Sequence, residues 1–261
     1  PAAARFGALW DREPEAALEA VRLNHQLVGP ELITLGVDAD YAPCADLSVP
    51  GAHDVIGDRA FHQEPKAVAA MASAAIEGLL DQGVLGVIKH LPGHGRAGVD
   101  SHHDLPVVDA ERGALEETDF AAFAAIKGAL MAMTAHVVYA DIDSEEPATC
   151  SRDVIASVIR GAIGFDGLLM TDDLSMKALR GDLRGRAERS LKAGCDLLMH
   201  CNGDLDEMIA VAHAAPSLDG QAAERAEAAL AARRAPAEFD AEGGVKRLDA
   251  LFKAAGLEPV S

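Results

Sequence analysis

Two stretches of this chain bring together residue types that can move a proton and attack a carbon. The first is Asp100-Ser101-His102. Residues i and i+2 of an extended segment point the same way, so the Asp100 carboxylate can orient the His102 ring and stabilise its protonated form. A histidine held that way, with an ordinary pKa near ~6.5, gives and accepts protons at neutral pH. A solvated pair on a loop is the plainer alternative, and the spacing leaves both open. The second stretch is Leu168-Leu-Met-Thr-Asp-Asp-Leu-Ser-Met176, where an apolar run ends in Asp172 and Asp173. A carboxylate at the end of a buried strand is costly unless it is paired. Asp172 therefore reads as the reactive acid, and Asp173 as a helix N-cap or a supporting partner.

Cationic and neutral donors lie nearby in the pattern. Lys89 and His90 directly follow the apolar Val87-Ile88. Strand neighbours face opposite ways, but at a frayed strand end both can reach one ligand and hydrogen-bond a polyhydroxylated substrate. Arg59, closing Val55-Ile-Gly-Asp-Arg59, can enter the same mouth or form a surface ion pair with Asp58 or Glu64. After Pro92 the chain runs into a polar loop with Gly93, Gly95 and Gly98, which would give it hinge-like freedom. His90, His94, His102 and His103 together raise the question of zinc, since imidazole is its commonest ligand. Their spacing matches no recognised ligand pattern, so neither metal nor cofactor is expected. His94, His103, His136 and His200 receive no role.

These residues need a scaffold, and the periodicity supplies one. Pro1 to Trp10 reads as loop. A helix follows from Asp11, with Pro14 just inside, to the stop at Gly36. Val37 to Pro43 reads as a strand, then a loop carries Asp46 through to Arg59. Thereafter strands at 86–90, 129–135, 167–171 and 196–199 alternate with helices at 65–82, 115–127, 152–163 and 183–193. Helices near 221–234 and 245–255 close the chain. Continuous apolar strands alternating with amphipathic helices mean a parallel sheet covered by helices. Asp46, Lys89 with His90, His136, Asp172 and His200 all fall at strand C-terminal ends, where a (β/α)8 barrel carries its active site. Five strands alone do not separate that barrel from an open doubly wound sheet.

Composition sets the limits. The chain has 261 residues, 49% hydrophobic, enough for one sizeable core, and nothing divides it into units, so 1–261 reads as a single domain. A formal net charge of −19 argues against nucleic acid or an anionic membrane surface as partner. Cys44, Cys150, Cys195 and Cys201 lack CxxC spacing and read as reduced, buried thiols of a cytoplasmic, monomeric protein. No run is long enough to span a membrane.

In combination, VIGDRAF, VIKHLPGHG with DSH after it, and LLMTDDLSM resemble the glycoside hydrolase family 3 β-N-acetylhexosaminidases. PELITLGVDADYAPCADL, MTAHVVYADID and AGCDLLM support the resemblance, which covers the chain to about Asn202. It implies a TIM-like (β/α)8 barrel and a retaining mechanism through a covalent glycosyl-enzyme. By motif match Asp172 would be the nucleophile, His102 the general acid/base with Asp100 as its partner, and Arg59, Lys89 and His90 the binders of sugar hydroxyls. The implied activity is release of N-acetylglucosamine from muropeptide fragments. A glycosyl phosphorylase, a metal-dependent barrel hydrolase and a catalytically silent sugar-binding protein are the rivals. Family members carry two initial strands and a DxEGGRVxR-type sugar-binding motif that nothing in Pro1 to Asp11 matches. A barrel incomplete at its N-terminus, cut from a longer natural protein, is therefore expected.

Overall fold

The computed structural model describes residues 1–260. Two helices open the chain, α1 (Ala3–Trp10) and α2 (Pro14–Thr34), followed by the two-residue strand β1 (Ala39–Asp40) and a single turn at Gly57–Arg59. Next come α3 (Pro65–Asp81), β2 (Leu85–Leu91), β3 (Val107–Val108), α4 (Arg112–Glu117) and α5 (Asp119–Ala125). Then follow β4 (Met131–Thr134), β5 (Val138–Tyr139), a wide helical segment Val154–Ala162, β6 (Leu168–Asp173), α6 (Leu183–Ala193) and β7 (Leu197–Met199). Helices α7 (Leu205–Ala214), α8 (Gly220–Ala231) and α9 (Ala241–Ala254) complete it.

Five strands form one parallel sheet in the order β1-β2-β4-β6-β7, and β3 pairs with β5 in a two-stranded ribbon. The sheet curls into a half-barrel, incomplete as the sequence led one to expect. Strand parity explains the two cores. Val87, Met131, Met133, Leu168 and Met170 pack together inside the curl with Ala39, Leu197 and Met199. Their neighbours Ile88, Ala132 and Leu169 face outward into the larger core under the helices. Both faces of β2, β4 and β6 are buried, which is why these strands read as continuous apolar runs rather than alternating ones.

Several elements depart from the sequence reading. Pro1 to Trp10 is not loop: α1 buries Phe6 and Leu9, and the Phe6 ring meets Phe61 and Phe252 edge-on at 6.4 and 5.6 Å. Tertiary packing stabilises a segment too short to be called by periodicity. Helix α2 takes Glu13, not Asp11, at its N-cap and runs through Pro30. The strand foreseen at 37–43 shrinks to β1, and the chain meets β2 again at a Cys44–Lys89 bridge. The helix foreseen over 115–127 is two, broken at Thr118, whose backbone leaves helical geometry while its hydroxyl bonds the Ala114 carbonyl. Helix α7 and the β3–β5 ribbon were not foreseen; α7 is largely exposed, with only Val211 buried. No helix among the described residues is long and apolar enough to cross a membrane.

Candidate active site

The parity that fills the half-barrel also places its reactive groups. Leu168 and Met170 point inward, so Asp172, two further on, tops the same column; Leu85 and Val87 do the same for Lys89. His90 faces the opposite way on a regular strand. Here the β2–β4 register shifts between Ile88 and Leu91, the Lys89–His90 and Leu91–Pro92 peptides are cis, and Lys89 and His90 line one cavity together. That cavity, about 170 Å³, is also lined by Arg59, His94, Ser101, His102, Asp172, Tyr41 and Met176. Five of the six residues singled out from sequence meet there, and the sixth, Asp100, reaches it through His102.

Asp172 is 6% exposed. Burial pushes its carboxyl up, but His90, His136, the Asp173 backbone N–H and Lys89 together outweigh burial and hold it below the ordinary value. It is thus a dry, ionised carboxylate, with the Asp173 N–H donating to its Oδ1 at 2.7 Å. Lys89 is shifted down, first by burial and then by the Arg59 charge. Arg59 forms no surface ion pair with Asp58 or Glu64; its guanidinium donates to the Val55 carbonyl at 3.1 Å.

Asp100 and His102 pair as expected, by a different geometry. Residues 100–104 form a turn, not an extended strand, with the His103 and Asp104 N–H groups donating to the Asp100 carbonyl at 3.0 Å each. The Asp100 Oδ1 then accepts from the His102 backbone N–H at 2.9 Å and bonds its ring Nδ1 at 2.7 Å. Burial, the largest single cause, pushes the Asp100 carboxyl up, but the His102 backbone and ring contacts, with the His102 and His103 charges, together outweigh it and hold it below its ordinary value. The His102 side chain is 55% exposed, with Nε2 left for a substrate.

Behind the cavity sits Asp46, which sequence placed only at a strand end. It is fully buried. Its Oδ1 accepts from the His94 N–H at 2.7 Å; its Oδ2 accepts from the His90 ring Nδ1 at 2.6 Å and from the Cys44 thiol at 3.2 Å. Burial would raise this carboxyl, but the His90 ring and the His94 backbone hold it far below the usual range. One carboxylate thus fixes both the cavity-lining ring and the start of the loop. The signal available in sequence was an Asp after an apolar run with no evident surface role.

The loop glycines are not equivalent. A Cβ on Gly93 would lie 2.8 Å from that of Asp119, and one on Gly95 would lie 2.2 Å from the Leu47 carbonyl oxygen. These two glycines permit close packing and do not act as hinges. Arg96 clamps the same stretch to α5, bonding the buried Asp119 at 2.6 Å and Thr118 at 3.0 Å. Only Gly98 has open space around it. His94 is buried against the His90 ring, 5.4 Å between centroids, and bonds Ser101 at 3.2 Å. His136 is buried, bonding Thr149 and the Asp173 carbonyl. Asp173 caps no helix; it accepts from Ser175 and from the Cys201 N–H, tying β6 to the loop after β7. His103 is exposed, and His200 is half-buried with its ring covered near Asp173 and Glu207. The four histidines form no common donor set. Among the described residues the group able to hold a metal is Cys44, Asp46 and His90. All four cysteines are free, but Cys201 is exposed and Cys44 half-buried, against the expectation of buried thiols.

Relatives of known type share this fold. Residues 1–233 match the Glycosyl hydrolase family 3 N terminal domain. The chain is 38% identical over 206 residues to a beta-hexosaminidase of Bordetella avium (strain 197N), covering 77% of this chain and 58% of that protein. It is 40% identical over 201 residues to a beta-hexosaminidase of Aromatoleum aromaticum, covering 76% and 56%. The chain thus spans a little over half the length of these relatives. Among solved structures, NagZ from Neisseria gonorrhoeae in complex with N-trifluoroacetyl-D-glucosamine superposes with a TM-score of 0.80 at 32% identity, covering 98% of this chain and 74% of that one. A glycoside hydrolase family 3 beta-N-acetylglucosaminidase from Paenibacillus sp. str. FPU-7 gives 0.82 at 28% identity, covering 98% and 52%. With a half-barrel carrying an ionised strand-end aspartate beside a loop-borne histidine, the chain belongs to the glycosyl hydrolase family 3 N-terminal-domain family.

Proposed function

We propose that this chain is the catalytic domain of a retaining exo-β-N-acetylglucosaminidase acting on peptidoglycan-derived muropeptides. The observation that carries the reading is the convergence of Asp172, His102, Arg59, Lys89 and His90 on one cavity. Asp172 attacks the anomeric carbon of the terminal sugar as the glycosidic bond breaks, and the imidazolium of His102 gives its Nε2 proton to the departing oxygen. In the second half, water attacks the same carbon, the neutral ring takes the water's proton, and Asp172 leaves as carboxylate. Asp100 keeps the ring aligned through both steps. This histidine takes the place of the second carboxylate of most retaining glycosidases. Arg59, Lys89 and His90 hold the sugar hydroxyls. Residues 1–261 form one domain in this reading, which works as a monomer in the cytoplasm; four free cysteines support that compartment.

The test is covalent trapping with a mechanism-based fluorosugar of the N-acetylglucosamine series, followed by peptide mass spectrometry. The label is expected on Asp172 and absent from Asp172→Ala, with turnover in that variant down about a thousandfold or more. A label that persists in the variant removes Asp172 from the role. A glycosyl phosphorylase is the second reading, favoured by an exposed proton carrier that is an imidazole and not a carboxylate, and so repels phosphate less. Sugar 1-phosphate as the main product in phosphate buffer would replace the hydrolase reading with that one.

A further inference from the structure

We propose that Cys44, Asp46 and His90 form a binding site for a thiophilic divalent cation such as Zn²⁺ or Cd²⁺, set in the wall of the sugar cavity. The three donor atoms lie within 4.8 Å of one another. Two of them, the Cys44 thiol and the His90 Nδ1, converge on the same oxygen, Asp46 Oδ2, at 3.2 and 2.6 Å. Each contact is held by a proton directed at that oxygen, so a single cation can take the place of both. Zinc holds sulfur, nitrogen and oxygen donors at about 2.0–2.3 Å, which sets the donors roughly 3.3–3.8 Å apart. The cluster therefore needs only a small opening, about 1 Å at His90, to close on a metal. A thiolate, an imidazole and a carboxylate are the mixed donor set that suits this class of ion.

Charge favours the exchange. The thiol proton leaves to solvent, and the Nδ1 proton passes to solvent or to Nε2, freeing both atoms as ligands. Carboxylate and thiolate together then balance the charge of a divalent cation. Burial and the neighbouring Asp46 charge push the Cys44 thiol up, so the thiolate forms only with a cation in place. All three donors are buried, and the way in from the cavity is past His90, which lines it together with Arg59 and Lys89. The second consequence rests on the proposed function. Metal on Nδ1 draws the His90 ring off Asp46, and that ring lines the cavity beside Lys89 and Arg59, so the cation moves a sugar-binding side chain and inhibits without touching Asp172 or His102.

The experiment is titration of the unsubstituted chain with Cd²⁺, read by the cadmium–thiolate charge-transfer absorbance and by ¹¹³Cd NMR. One cadmium per chain with a one-sulfur, nitrogen- and oxygen-containing shell is expected, competed away by Zn²⁺. Cys44→Ala should lose the band, Cys201→Ser should keep it, and Zn²⁺ inhibition should weaken at least tenfold in Cys44→Ala. A sulfur-free cadmium shell, or a band that survives in Cys44→Ala, overturns the proposal, and the NMR arm decides it even where that variant does not fold. A correct cadmium shell on a chain that hydrolyses no glycoside would leave the metal site standing and remove the proposed function.

Discussion

At the scale of single residues, burial and pairing decide what each ionisable group can do. His94 shows this most cleanly. Burial, with the nearby His90 ring second, pulls its pKa from the ordinary 6.5 down to about 4. The unfolded chain therefore takes up a proton as pH falls through ~6.5, while the folded chain resists until about pH 4. Stability present above ~6.5 is lost across that window, on the order of 3 kcal/mol from this residue. Urea unfolding measured from pH 7 to 4 should show a shallower decline in His94→Gln than in the parent; parallel declines would remove His94 as the cause. His102 makes a different prediction. His102→Ala should slow substrates with poor leaving groups far more than aryl glycosides with good ones, because only the former need the proton. Equal losses on both, measured as kcat/KM, would take the acid role away from it. Asp100, His102 and Asp172 were legible as types in a pattern, since proton carriers on a loop and an acid after an apolar run are local signals. Asp46 was not. Its importance lies in contacts with His90 and His94, 44 and 48 residues away in the chain, and no local pattern encodes them.

At the scale of elements, strand parity and loop packing position the site. The alternation that puts Leu168 and Met170 inside the curl carries Asp172 to its mouth, and this was readable from the apolar run itself. The loop was misread where glycine was taken for freedom. Gly95 sits against the Leu47 carbonyl, whereas Gly98 has open space. Gly95→Ala should cost about 1–3 kcal/mol in denaturant unfolding and lower activity, while Gly98→Ala should stay within about 0.5 kcal/mol. Reversed magnitudes would restore the hinge to the first part of the loop. Composition gives a glycine no label for which task it performs; only the neighbour 2.2 Å from a hypothetical Cβ does. Helix α1 escaped notice for a related reason, as its Phe6 ring finds its partners in Phe61 and Phe252, far along the chain.

For the whole molecule, the sheet is the organising body, and its strands are unequally protected. Strand β4 is paired on both sides, by β2 and β6, whereas β7 has a partner only in β6. Amide hydrogen exchange should therefore be at least about a hundredfold slower in Met131–Thr134 than in Leu197–Met199; uniform protection across the sheet would contradict this order. The parallel α/β architecture was legible because β2, β4 and β6 are buried on both faces and most of the helices between the strands on one. The Arg96–Asp119 clamp has one more consequence, for how this loop can diversify. It separates the packed base of the loop from the turn that bears Asp100 and His102. The exposed turn is thus a replaceable cassette: under the proposed function, lengthening or recomposing it between Gly98 and Asp104 would retune which aglycones are accepted while the recognition of the sugar itself is inherited unchanged.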